Sequence, residues 1–121
     1  MTEHDPRLYL IHIVESADFV ASYIKGKDSE AFAADQQLQD AVIRRIEIMG
    51  EAVKNLEGEL RAEHPEVPWS RIAGMRDKVI HDYMGVDAEL VWTVATTMLG
   101  PLKHDVRSIL ERLDDRDRGT T

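Results

Sequence analysis

The chain has 121 residues and no cysteine, so disulfides and thiolate metal sites are excluded. Its formal net charge of −8 argues against a general nucleic-acid coat protein, because phosphate binding needs local Lys and Arg. No apolar run approaches the roughly 20 residues of a membrane span. The opening Met1-Thr2-Glu3-His4-Asp5 also lacks the basic and apolar regions of a signal peptide. A cytoplasmic protein with no membrane partner is therefore expected, built as one domain over residues 1–113 with a polar, frayed tail over 114–121.

The elements read as helices throughout, with no period-2 alternation and no Asn-Gly or Asp-Gly hairpin turn. Asp5 as N-cap and Pro6 at the first helical position open the first helix. Its stripe is Leu10, Ile13, Ala17, Val20 and Ile24, with Gly26 as the stop. Asp28 caps a short second helix through Ala31, Phe32 and Ala33. A long third helix is expected from about Asp35 to Glu63, with Leu38, Val42, Ile46, Met49, Val53, Leu56 and Leu60 on one face. The segment His64-Pro65-Glu66-Val67-Pro68 breaks it, since two prolines cannot continue a helix. A fourth helix is expected to run to about Tyr83 and stop near Gly85, with Gly74 weakening its first turn. Asp87 caps a fifth, striped by Val91, Val94, Met98, Leu102, Val106, Ile109 and Leu113 and kinked at Pro101. These stripes predict an all-α, up-and-down bundle of four main helices plus a short one.

Charge singles out one segment. Only residues 68–83 carry more basic than acidic side chains, with Arg71, Arg76 and Lys78 against Asp77 and Asp82. An acidic body with one mildly basic segment can focus a phosphate there. His81 and Tyr83 fall in the same stretch. RNA cleavage by attack of the neighbouring 2′-hydroxyl needs a base, an acid and a cation for the charge on phosphorus, and it can run without a metal. Histidine titrates near neutral pH and can be either base or acid. Arginine stays charged and grips phosphate oxygens in a bidentate way. On a continuous helix Arg76, Ile80 and Tyr83 share one face, and Asp77 shares another with His81, which it would orient. One histidine cannot conveniently serve as both base and acid, so a symmetric homodimer meeting at this helix is expected to supply a second. By themselves, an Arg and a His at this spacing more often describe a surface charge and a satisfied interface histidine.

Four blocks, in order, carry a resemblance that covers the chain from about Tyr9 to Leu110. They are Asp40 to Lys54, containing Arg44, Glu47, Gly50 and Glu51; His64 to Trp69, followed by Ile72 to Arg76; Arg76, four residues, His81, any residue, Tyr83; and Gly85 to Asp87, then Leu90 to Trp92. In these the chain resembles the HepT-like branch of the HEPN domains. The resemblance implies a toxin ribonuclease of a type VII-like toxin–antitoxin pair. Its catalytic pair would be Arg76 and His81, with Asp77 in support, acting on messenger or transfer RNA. It also implies that Tyr83 is the residue to which a partner MntA-type nucleotidyltransferase antitoxin attaches AMP. Asp82 departs from the family, where many relatives carry Gly or another small residue.

Other constellations point elsewhere. Glu47 and Glu51 are one turn apart, with Arg44 a turn before, but no Glu-x-x-His motif accompanies them as a two-metal bundle site would require. No metal and no cofactor is expected. His4 reads as solvated, His12 as a surface partner of Glu15, His64 as a helix end, and His104 as lacking a carboxylate one turn away. Trp69 and Trp92 read as packing residues before base-stacking ones. The rival functional classes are a non-catalytic module that regulates a partner nucleotidyltransferase and a small-ligand-binding bundle.

Overall fold

A computed structural model describes residues 5–81 and 85–119, with His81 described by its backbone alone. The chain forms an all-α bundle. The elements are α1 (Pro6–Ile24), α2 (Ser29–Ala33), α3 (Gln36–Lys54), α4 (Gly58–Glu63), α5 (Trp69–Ala73) and α6 (Met75–Val79). They continue with β1 (Ile80–His81), β2 (Gly85–Val86), α7 (Ala88–Thr93), a π-helical turn (Val94–Met98) and α8 (Leu99–Gly119). Helix α1 packs against both α3 and α8, and α5 and α6 pack on α3.

The caps form as the sequence dictates. Asp5 accepts from the Arg7 amide, Asp28 from Ala31, Asp35 from Leu38 and Asp87 from Leu90, each satisfying an amide that has no intrahelical partner. Gly26 ends α1 at φ +76°, a conformation that costs a glycine nothing. The stripes become the core: Leu10, Ile13, Ala17 and Val20 of α1 meet Val42, Ile46, Met49 and Val53 of α3, and Leu102, Val106 and Ile109 of α8. Phe32 of the short α2 is fully buried, 5.3 Å from the Trp92 ring. Buried Gln39 donates to the carbonyls of Phe32 and Ala33, which satisfies the end of α2 inside the protein.

Three elements differ from the expected ones. The third helix does not reach Glu63. It ends at Lys54, where the Asn55 side chain donates back to the Glu51 carbonyl at 2.9 Å. Leu56 is still buried in the turn, so the apolar spacing runs across the break and conceals it. The fourth helix is two five-residue pieces divided at Gly74. It ends at Val79 and not near Tyr83, because Ile80 turns extended and pairs with Val86 while His81 pairs with Gly85. The β-branched Val79-Ile80 step favours that conformation, and Gly85 at φ +77° allows the chain to return. Third, the irregularity in the last helix precedes Pro101. Val94–Met98 is π-helical, and Thr96 and Thr97 donate to the carbonyls of Trp92 and Thr93. Such bonds to the preceding turn bend helices. Pro101 sits in the first turn of α8, where its missing N–H costs little.

Residues 114–119, expected as a polar tail, are exposed and continue α8. Arg7 holds them: its guanidinium pairs with Asp5, the cap of its own helix, and with Asp114 and Asp117 of α8. These bonds to Arg7 keep the Asp5 carboxyl below its ordinary 3.8. A lowered carboxyl stabilises the fold above its unfolded value and ceases to do so as pH falls through the folded one. Acid unfolding of Asp5→Asn is therefore expected to show less loss of stability below about pH 4 than wild type. Arg7→Ala is expected to speed amide exchange in residues 110–119 and to leave α3 protected, as read by hydrogen-exchange mass spectrometry.

Candidate active site

Helix α6 is little more than one turn, yet its two faces are sharply divided. Met75 and Val79 are buried against α3, and Arg76, Asp77 and Lys78 face out. Arg76 is half exposed, and its Nε donates to Oε2 of Glu47 on α3 at 3.2 Å. Its Nη1 lies 3.5 Å from Oδ1 of Asp77, whose side chain is 82% exposed. An exposed pair of this kind adds about 0–1 kcal/mol to stability. Its larger effect is directional, because a guanidinium held by its Nε side keeps its remaining N–H groups turned outward.

Arg76 stands at the edge of a cleft of about 590 Å³ between α1, α3 and the α5–α6 pair. Tyr9 and His12 line it from α1. Arg44, Glu47, Glu51 and Lys54 line it from α3, at the three- and four-residue steps that place side chains on one helix face. Three permanent cations against two carboxylates make a locally positive surface on a protein of net charge −8. Arg44, Glu47 and Glu51 were legible as a polar face. The contributions of Tyr9 and His12 were not, because they come from α1, whose packing on α3 the sequence does not specify.

The other candidate residues separate. With the helix ended at Val79, Asp77 and His81 no longer stand one helical turn apart, and Ile80 no longer shares a helical face with Arg76. The helical spacing on which the orientation of His81 by Asp77 was expected is absent, and Asp77 lies beside Arg76. His81 enters the site segment as the last residue of β1, with its backbone paired to Gly85. Its side chain, together with Asp82 and Tyr83, lies outside the described residues. Glu47 faces the Arg76 guanidinium. Trp69 is buried, its indole N–H donating to the carbonyls of Arg61 and His64, and Trp92 packs on Phe32. His64 caps the end of α4, 3.4 Å from Glu66.

The sequence profile of the family "Ribonuclease HepT-like" matches residues 13–109. The chain belongs to the HepT-like ribonuclease family. A Caldanaerobacter subterraneus relative, provisionally named an RNase, is 44% identical over 88% of this chain and 96% of its own length. A Thermococcus cleftensis relative, provisionally named ribonuclease HepT, is 40% identical over 78% of this chain and 86% of its own. A Methanocaldococcus jannaschii relative, named a gamma-glutamylcyclotransferase and provisionally an RNase, is 46% identical over 91% of this chain, which spans 50% of that longer protein. Comparison with solved structures returns no match.

One glycine sets how close α5 and α6 come to α3. A Cβ on Gly50, at the floor of the cleft, would sit 3.3 Å from the Ala73 carbonyl oxygen and 3.4 Å from that of Ile72. Those atoms are backbone and cannot rotate away. A branched side chain there must push α5 outward and draw Arg76 from Glu47. Gly50→Val is expected to lower stability by about 1–3 kcal/mol in urea unfolding, an overpacking loss that a surface substitution such as Arg107→Ala would not show.

Proposed function

We propose that the protein is a metal-independent endoribonuclease acting as the toxin of a toxin–antitoxin pair. The observation that carries this reading is Arg76, a guanidinium aimed by Glu47 along a positively lined cleft in an otherwise acidic protein of the HepT-like family. Names borne by the family relatives support RNA as substrate. In the proposed reaction the 2′-oxygen of the substrate attacks the adjacent phosphorus, forming the 2′-O–P bond as the P–5′-O bond breaks. A base takes the 2′-hydroxyl proton and an acid returns one to the departing 5′-oxygen, giving a 2′,3′-cyclic phosphate and a 5′-hydroxyl. Arg76 stabilises the charge that builds on the phosphoryl oxygens, and His81 supplies the base or the acid. A homodimer that brings two His81 residues to one cleft divides those roles between protomers. Asp77, beside Arg76, supports the charge of the pair.

Purified protein is expected to cut RNA in the presence of EDTA and to leave cyclic phosphate ends. Arg76→Ala and His81→Ala should each lower the rate by about 100-fold or more. Expression of the gene alone should arrest growth, and His81→Ala should relieve the arrest. Equal growth of the two, with no RNA cut in vitro, would favour a non-catalytic module that regulates a nucleotidyltransferase. Loss of cleavage in EDTA would defeat the metal-independent mechanism, and a stable monomer with full activity would defeat the shared site.

Tyr83 is proposed as the off-switch. It stands two residues after His81, and an AMP on its phenol brings a phosphodiester charge and a purine to the segment that carries the catalytic pair. Charge competition for Arg76 and steric exclusion of RNA act in the same direction. Tyr83→Phe is expected to retain ribonuclease activity and to escape neutralisation by a cognate nucleotidyltransferase with ATP. Inactivation of that variant as readily as wild type would show that another residue is modified.

A further inference from the structure

The cleft extends well beyond Arg76, and its composition is informative. Along the exposed face of α3 the order is Arg44, Glu47, Glu51, Lys54. Glu47 is engaged by Arg76. Arg44 and Lys54 stand at the two ends of this face, ten residues and so about 15 Å apart along the helix axis. Among the described residues, neither has a carboxylate within ion-pairing distance. The same cleft is lined by the rings of Tyr9 and His12 and the side chain of Ile48. Two separated cations flanking a partly apolar, aromatic-edged trough match a chain that alternates phosphates with flat bases. A globular acidic partner would leave the trough between the cations unfilled.

We propose that this face of α3 is a binding site for a single RNA strand, with Arg44 and Lys54 each taking a backbone phosphate on either side of the position held by Arg76. The site rests on the ribonuclease reading for its purpose but not for its existence, because it predicts binding whether or not the strand is cut. A cleft of about 590 Å³ takes one or two nucleotides and not a duplex, so the site selects unpaired RNA. Glu51, between the two cations, faces the strand with acceptor oxygens only. It suits donors such as ribose 2′-hydroxyls or base amino groups and repels a phosphate placed there. The two end cations and central carboxylate thereby set where along α3 phosphates can lie.

The test is fluorescence anisotropy of a labelled unpaired RNA oligonucleotide, titrated with the full-length His81→Ala protein at several salt concentrations so that no cutting interferes. Arg44→Ala and Lys54→Ala in that background are each expected to weaken binding several-fold and to flatten the dependence of log affinity on log salt by about 0.7, the loss of one phosphate contact on a single strand. The double variant should lose about twice that slope. Arg107→Ala, on exposed α8 away from the cleft, should leave both affinity and slope unchanged. A duplex of the same sequence should bind more weakly than the single strand. The proposal is overturned if the double variant keeps wild-type affinity and slope, if the duplex binds as tightly, or if no strand binds at all. Binding that follows this pattern in a protein that cuts no RNA would sustain the site and sink the ribonuclease reading. Cleavage by the otherwise unmodified enzyme, undiminished in Arg44→Ala/Lys54→Ala, would do the reverse.

Discussion

The absence of one methyl group sets the geometry of the site. Gly50 lets the carbonyls of Ile72 and Ala73 approach α3 so closely that a side chain there would make this backbone give by a few tenths of an ångström. Because α5 and α6 are only five residues each, they have too few hydrogen bonds to hold a position by themselves. They are placed by what they rest on, through Ile72, Met75 and Val79 against the α3 core. Close seating brings the Arg76 guanidinium within reach of Glu47, and that contact orients the arginine proposed to stabilise the phosphoryl charge. Packing thus does for Arg76 what helix propensity could not.

The bundle was legible where a single physical rule decides the outcome. Apolar residues at three- and four-residue steps must be covered, and those of α1, α3 and α8 are; an aspartate before a helical run caps it, and Asp5, Asp28, Asp35 and Asp87 all do. Reading fails where two rules compete. Leu56 keeps the helical period of α3 through a turn, so periodicity hid a break that Asn55 and Gly58 announced. At Val79-Ile80 the run of signature residues invited a continued helix, while β-branching favoured a strand and Gly85 made the return possible. For the candidate site, the polar face of α3 could be read from spacing, whereas Arg76 was singled out by the family resemblance and not by spacing alone. That α1 supplies Tyr9 and His12 to the same cleft could not, because only the packing of α1 on α3 creates the cleft.

The acidic surface and the basic cleft are complementary features. A net charge of −8 repels polyanions from most of the protein, so the few cations that gather at α3 and α6 define where an anion can settle. The Glu47 carboxylate then works in two opposed ways: it directs the guanidinium, and it competes with phosphate for it. An arginine that is partly neutralised at rest binds anions less tightly in general, and it retains its strongest interaction for a group presented in bidentate register.

The two-pair ladder between β1 and β2 joins Ile80 to Val86 and His81 to Gly85, and the Asp87 amide is bonded to the Val79 carbonyl at 2.8 Å just beyond it. These pairs fix the register of the two short strands against each other. A slip of one residue in that pairing would take Gly85, at φ +77°, away from His81 and exchange the faces of the strand residues. The spacing from Arg76 through His81 to Gly85 is accordingly a measure of length before it is a list of functional groups. It acts as a ruler, with a helix end at one mark and a glycine at the other.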